Sequence, residues 1–157
     1  MATIVLLDAG LVGLACVDPK KPAAADFEGW LQDVIRSAVV RVADVTRYEV
    51  RREPSRLGAS ARLRRLDRFC TRVPVVPVTP EAWDRAGDFW AFVRRAGRPT
   101  AAPEALDADA ILAGVAATVA GPGDRVVIAT TNVRHLGWFP GIDAREWHDI
   151  PAGGADV

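Results

Sequence analysis

What this sequence has little of already narrows its function. No stretch is long and apolar enough to span a bilayer, and the apolar run from Ile4 to Val17 is broken by Asp8, Gly10 and Gly13, so neither a membrane span nor a signal peptide is expected. The two cysteines, Cys16 and Cys70, stand alone without C-x-x-C spacing, which argues against a disulfide framework and a zinc site. His135 and His148 lie too far apart for the short spacing of a histidine ligand pair. Neither G-x-G-x-x-G nor a P-loop lysine motif occurs, which disfavours a doubly wound nucleotide-binding protein. Lysine is nearly missing, Lys20 and Lys21 being the two present. A cytoplasmic protein is the economical reading.

What is there suits one globular domain. A chain of 157 residues, half of them hydrophobic, is long enough to bury a real core. No internal repeat or linker divides it, so residues 1–150 read as a single domain and 151–157 as a frayed tail. Twenty basic and twenty acidic side chains cancel, which removes any net pull toward nucleic acid. The distribution is uneven. Between Arg47 and Arg72 nine arginines face three acids, a local excess of six positive charges. Such a segment is either a solvated helix face or a surface that grips a phosphate backbone.

Thr3-Ile4-Val5-Leu6-Leu7 reads as a buried central strand that delivers Asp8 to the rim of a parallel sheet, where such folds bind ligands. A short helix follows within Ala9 to Asp18, then a loop to Ala25. A helix capped by Asp26 carries Phe27, Trp30, Leu31, Val34 and Ile35 on one face, and Ser37 to Val42 is a second strand. In the next helix, Val45 to Glu53, the spacing of Val45, Tyr48, Glu49 and Arg52 turns Glu49 inward. Thr46-x-x-Glu49 also fits a capping box, in which Glu49 only serves the helix start. Pro54 and Gly58 close that helix. Leu57 to Arg72 is a basic helix with Leu63, Leu66, Phe69 and Cys70 inward, and Pro74 to Pro80 contains a short strand.

From Pro80 a helix puts Trp83, Ala86, Trp90 and Val93 on one face and ends near Gly97, and Arg98 to Leu106 is a loop. The helix opening at Asp107 buries Ile111, Leu112, Val115 and Val119. Asp109 borders that buried face, whereas Asp107 points away and fits an N-cap. Arg125 to Thr130 is a β-branched strand ending in Thr131-Asn132, and Trp147 to Ile150 reads as a last edge strand.

Taken in order, Leu7-Asp8-Ala9, Tyr48-Glu49-Val50-Arg51-Arg52, Asp109-Ala110-Ile111-Leu112-Ala113 and Ala129-Thr130-Thr131-Asn132 resemble the PIN domain over nearly the whole chain, and VapC-type toxins of type II toxin–antitoxin pairs in particular. The resemblance implies a three-layer α/β/α sandwich around a mainly parallel sheet. It implies a site for Mg²⁺ or Mn²⁺ built by Asp8, Glu49 and Asp109, with Asn132 at the fourth position, that hydrolyses RNA. Arg47, Arg51 and Arg52 would contact phosphate. It further implies a cognate antitoxin over the acidic cleft and a homodimer. Many relatives carry a further carboxylate where Asn132 and Val133 stand here, so two other readings remain beside a toxin: a binding or regulatory module of the same fold with weakened catalysis, and an RNA-processing nuclease without an antitoxin.

Overall fold

A computed structural model describes residues 1–98 and 103–152. Its five strands are β1 (Thr3–Leu7), β2 (Val39–Ala43), β3 (Val75–Val76), β4 (Arg125–Thr130) and β5 (Ala144–Glu146), joined in the order β3-β2-β1-β4-β5 with every pairing parallel. Parallel neighbours need crossover connections, and helices fill that role on both faces. These are α1 (Ala9–Leu14), α2 (Pro22–Val34), α3 (Asp44–Arg56), α4 (Ser60–Arg72), α5 (Pro80–Arg95), α6 (Pro103–Thr118) and α7 (Val133–Leu136).

The two-residue period of β1 divides the core. Val5 and Leu7 join Leu11, Phe27, Leu31, Leu66 and Phe69 on the side of α1, α2 and α4, while Leu6 joins Phe89, Leu112, Ile128 and Leu136 on the side of α5 and α6. β1 is thus buried on both faces and both edges, as its unbroken apolar run requires. After β1 the chain first builds outward through β2 and β3, then returns to lay β4 against the other edge of β1. The crevice of an open parallel sheet lies at such a reversal.

Several boundaries differ from those read in the sequence. Helix α2 begins at Pro22, so Asp26 is not its cap; that carboxylate instead accepts a hydrogen bond from His148 Nε2 at 2.9 Å. The helix ends at Val34, which leaves Ile35 exposed, and β2 starts at Val39. Helix α3 runs through Pro54 to Arg56 because the proline sits in the last turn, where its missing N–H removes a single bond before the chain closes at Gly58 with φ +62°. Tyr48 is exposed, so the inward face of α3 is narrower than its spacing suggests. The expected edge strand from Trp147 is a 3-10 turn, Trp147–Asp149; pairing with β4 occurs three residues earlier, at Ala144–Glu146, while the Trp147 ring packs edge-on against Phe27 and Trp30. Helix α6 starts a turn before Asp107, which therefore caps nothing and is exposed in the helix. The expected loop from Arg98 lies partly outside the described residues, as do residues 153–157 of the expected tail.

On α5 the buried face is Ala82, Ala86, Phe89 and Val93, and both tryptophans of the helix turn out to solvent. The cause is the helix pairing. A Cβ at Gly114 of α6 would lie 2.3 Å from the Ala82 carbonyl oxygen, so the two backbones meet where only small side chains fit. Gly114→Ala is expected to lower stability by about 1–3 kcal/mol through overpacking. Thermal denaturation checks this, with a midpoint that falls by roughly 2–4 °C for each kcal/mol.

Candidate active site

Asp8 follows directly on β1, and its backbone N–H still donates to the Ala129 carbonyl of β4 at 3.0 Å. Its side chain is held at both oxygens. Oδ1 accepts the Ala9 N–H at 2.7 Å as the N-cap of α1, and Oδ2 accepts the Thr130 hydroxyl at 2.6 Å. The helix N-terminus also favours the negative charge. Thr130 is fully buried, and its oxygen in turn accepts the Asn132 N–H at 2.9 Å. The sequence reading includes this threonine in the strand-end motif but gives it no role; the signal was a hydroxyl at the end of an otherwise apolar strand.

Glu49 lies on α3 with its side chain 19% exposed and Arg52 3.9 Å away. The capping-box alternative fails, since α3 begins at Asp44 and the Thr46 hydroxyl is buried inside the helix without a hydrogen-bond partner. Burial pushes the Glu49 carboxyl above its ordinary range, and the Asp8 charge adds to this. Asp109, on α6, is pushed up to about 7, first by burial and then by Asp8 and Glu49. Strand end, α3 and α6 thus place three carboxylates in one another's field. Asp107 is on the exposed side of α6, away from them, as its spacing indicated.

The remaining candidates separate. Arg52 stays beside Glu49, its guanidinium also over the Tyr48 ring at 5.3 Å. Arg51 pairs with Asp67 of α4 at 3.3 Å, and Arg47 lies near Cys70 of the same helix, where its charge opposes the upward shift that burial imposes on the thiol. Asn132 is exposed, and its side-chain amide donates to His135 Nδ1 at 3.0 Å. A slot of about 380 Å³ opens beside Glu49 between α1 and α3, with Gly10 and Gly13 on one wall and Arg52 and Arg62 among its lining. A larger cavity of about 690 Å³ lies apart from the acids, between α1, α2 and α4.

The donor set suits a hard cation, because every side-chain donor is a carboxylate oxygen and the raised Asp109 and Glu49 mark a place short of positive charge. Among the described residues no three ligating side chains converge closely enough to hold an ion by themselves. An ion that keeps much of its water, such as Mg²⁺, needs only one or two carboxylates.

Asp109 gives a pH prediction for the metal-free protein. Its folded pKa of about 7 is above the ordinary 3.8, so the stability it contributes is fully present below about pH 4 and is lost as pH rises through about 7. Asp109→Asn cannot ionise. The melting temperature of the variant relative to wild type is expected to rise between pH 4 and pH 8, by roughly 2–4 °C per kcal/mol of repulsion removed. A constant difference across that range, measured in EDTA, contradicts the shift.

By sequence the chain matches no protein-family model and no curated protein. Its fold is shared. It superposes on a chain of the DNA-bound VapBC structure from Salmonella typhimurium with TM-score 0.66 and 22% identity, covering 94% of this chain and 99% of that one. For FitAcB from Neisseria gonorrhoeae the values are 0.64 and 14%, covering 93% and 99%. For VapBC2 from Rickettsia felis, bound to a promoter DNA fragment, they are 0.64 and 11%, covering 90% and 97%. At these identities the likeness is one of fold alone, shared with a chain in each of these VapBC and FitAcB structures.

Proposed function

We propose that the chain is a metal-dependent endoribonuclease, the toxin of a toxin–antitoxin pair. The observation that carries this reading is the gathering of Asp8, Glu49 and Asp109 from three separate elements at the reversal point of the sheet. The shared fold of the VapBC and FitAcB structures supports it.

Asp8 and Asp109 would hold Mg²⁺ or Mn²⁺, directly or through water. When bound, the ion supplies charge against the anionic phosphodiester and lowers the pKa of an attacking water. The protein's part is orientation. Thr130 and the Ala9 N–H keep the Asp8 carboxylate from turning, and Glu49 would position a water or a second ion. Arg52 stands nearest to meet a phosphate.

Two surface features support the proposed partners. A cleft of about 520 Å³ is lined by Tyr48, Val78, Trp83 and Ile111 together with Asp44 and Asp107, which suits an antitoxin segment that brings apolar side chains and a cation. Trp90 and Phe92 are exposed on α5 and suit contact with a second copy. No helix among the described residues is long and apolar enough to cross a membrane, and the cytoplasm, where RNA is met, is the compartment this function requires.

Purified protein incubated with transfer, ribosomal and messenger RNA is expected to cut with Mn²⁺ or Mg²⁺ and to stop in EDTA. Asp8→Asn and Asp109→Asn should each lose about two to three orders of magnitude in rate, equivalent to roughly 3–4 kcal/mol. Absence of cutting with any metal, in folded protein, leaves a binding module of the same fold. Light scattering is expected to give twice the mass of one chain, and Trp90→Ala with Phe92→Ala to give a monomer; a wild-type monomer with full activity rules the dimer out.

A further inference from the structure

The hydrogen bonds that position Asp8 continue past Thr130. The Thr130 oxygen accepts the Asn132 N–H at 2.9 Å, and the Asn132 side chain then reaches His135 at 3.0 Å. With the amide nitrogen as donor, His135 Nδ1 accepts, which puts a ring N–H on Nε2. The other restraint on the ring is Trp138, 4.7 Å away between centroids and tilted by 35°, itself packed against the core on the α5 and α6 side. Two independent contacts thus hold a half-buried imidazole in one plane and one tautomer. Among the described residues Nε2 has no hydrogen-bond partner.

Helix α7 begins just beyond the end of β4, so this ring is carried by the same sheet edge as Asp8. Three carboxylates repel a phosphate backbone, Arg52 is shared with Glu49, and Arg51 and Arg47 are directed to α4. An N–H fixed at the rim adds a donor toward phosphate there. We propose that His135 is a substrate contact of the acidic site, its Nε2–H donated to a phosphate oxygen of the RNA strand, with Asn132 acting as the positioning residue that sets the tautomer. This rests on the ribonuclease reading above and gives Asn132 a purpose other than touching the metal or its acids.

Two measurements test it. The first is fluorescence anisotropy of a labelled single-stranded RNA at low salt in EDTA, which reads binding without cutting. His135→Ala is expected to raise Kd about tenfold, the loss of one hydrogen bond to a charged group, while His135→Gln, whose amide N–H lies near the place of Nε2–H, restores most of it. Asn132→Ala should fall between. The second is a long-range ¹⁵N–¹H spectrum of the histidines, in which wild type shows His135 protonated on Nε2 alone and Asn132→Ala shows both tautomers. Wild type that binds and cuts RNA while His135→Ala binds equally well overturns this assignment alone. A His135 protonated on Nδ1 in wild type does the same. Wild type that neither binds nor cuts RNA overturns the ribonuclease reading together with it.

Discussion

The Asp8 carboxylate is gripped by the Thr130 hydroxyl and the Ala9 N–H at the place where the sheet reverses direction, and much of the molecule is arranged around that grip. It joins the ends of β1 and β4, starts α1, and orients the first acid of the candidate site. One side chain therefore serves as helix cap, strand tie and site carboxylate. Because both oxygens accept a bond, the carboxylate is held in one orientation as the two other acids approach it.

Those acids come at an electrostatic cost. Glu49 and Asp109 are partly removed from water and face Asp8, which raises both of their pKa values. Packing elsewhere enforces the approach. Helix α6 carries Asp109, and its position is set by the close meeting with α5 at Gly114, where the facing residues are alanines and a backbone carbonyl. On the function proposed above, a bound cation would relieve that repulsion.

Much of this was legible from residue types. The continuous run Ile4 to Leu7 specifies a strand buried on both faces, and a polar residue at its end has to emerge at the sheet rim. Asp109 could be separated from Asp107 by helical angle alone, because one borders the buried arc and the other does not. Where reading failed, a local pattern competed with a contact distant in sequence. Trp83 and Trp90 look like core by hydrophobicity, yet the α5–α6 contact is too close for them. Asp26 looks like a cap, yet α2 already starts at Pro22 and the carboxylate pairs with His148 far along the chain. The strand Ala144–Glu146 carries no apolar signal because backbone pairing with β4 holds it there.

The sequence by itself determined the alternation of strands and helices, the burial of β1 and the place of Asp8 at its end, since each follows from periodicity within a single element, whereas joining Glu49 and Asp109 to Asp8 came from the family resemblance. Tertiary structure alone decided which hydroxyl grips Asp8, that Glu49 serves no capping box, that Arg51 turns to α4 while Arg52 stays, and that Asn132 reaches His135. The reason is physical. Periodicity says which way a side chain leaves its own backbone, but a hydrogen bond or ion pair also needs the partner's position, and that is set only when elements remote in sequence pack against one another.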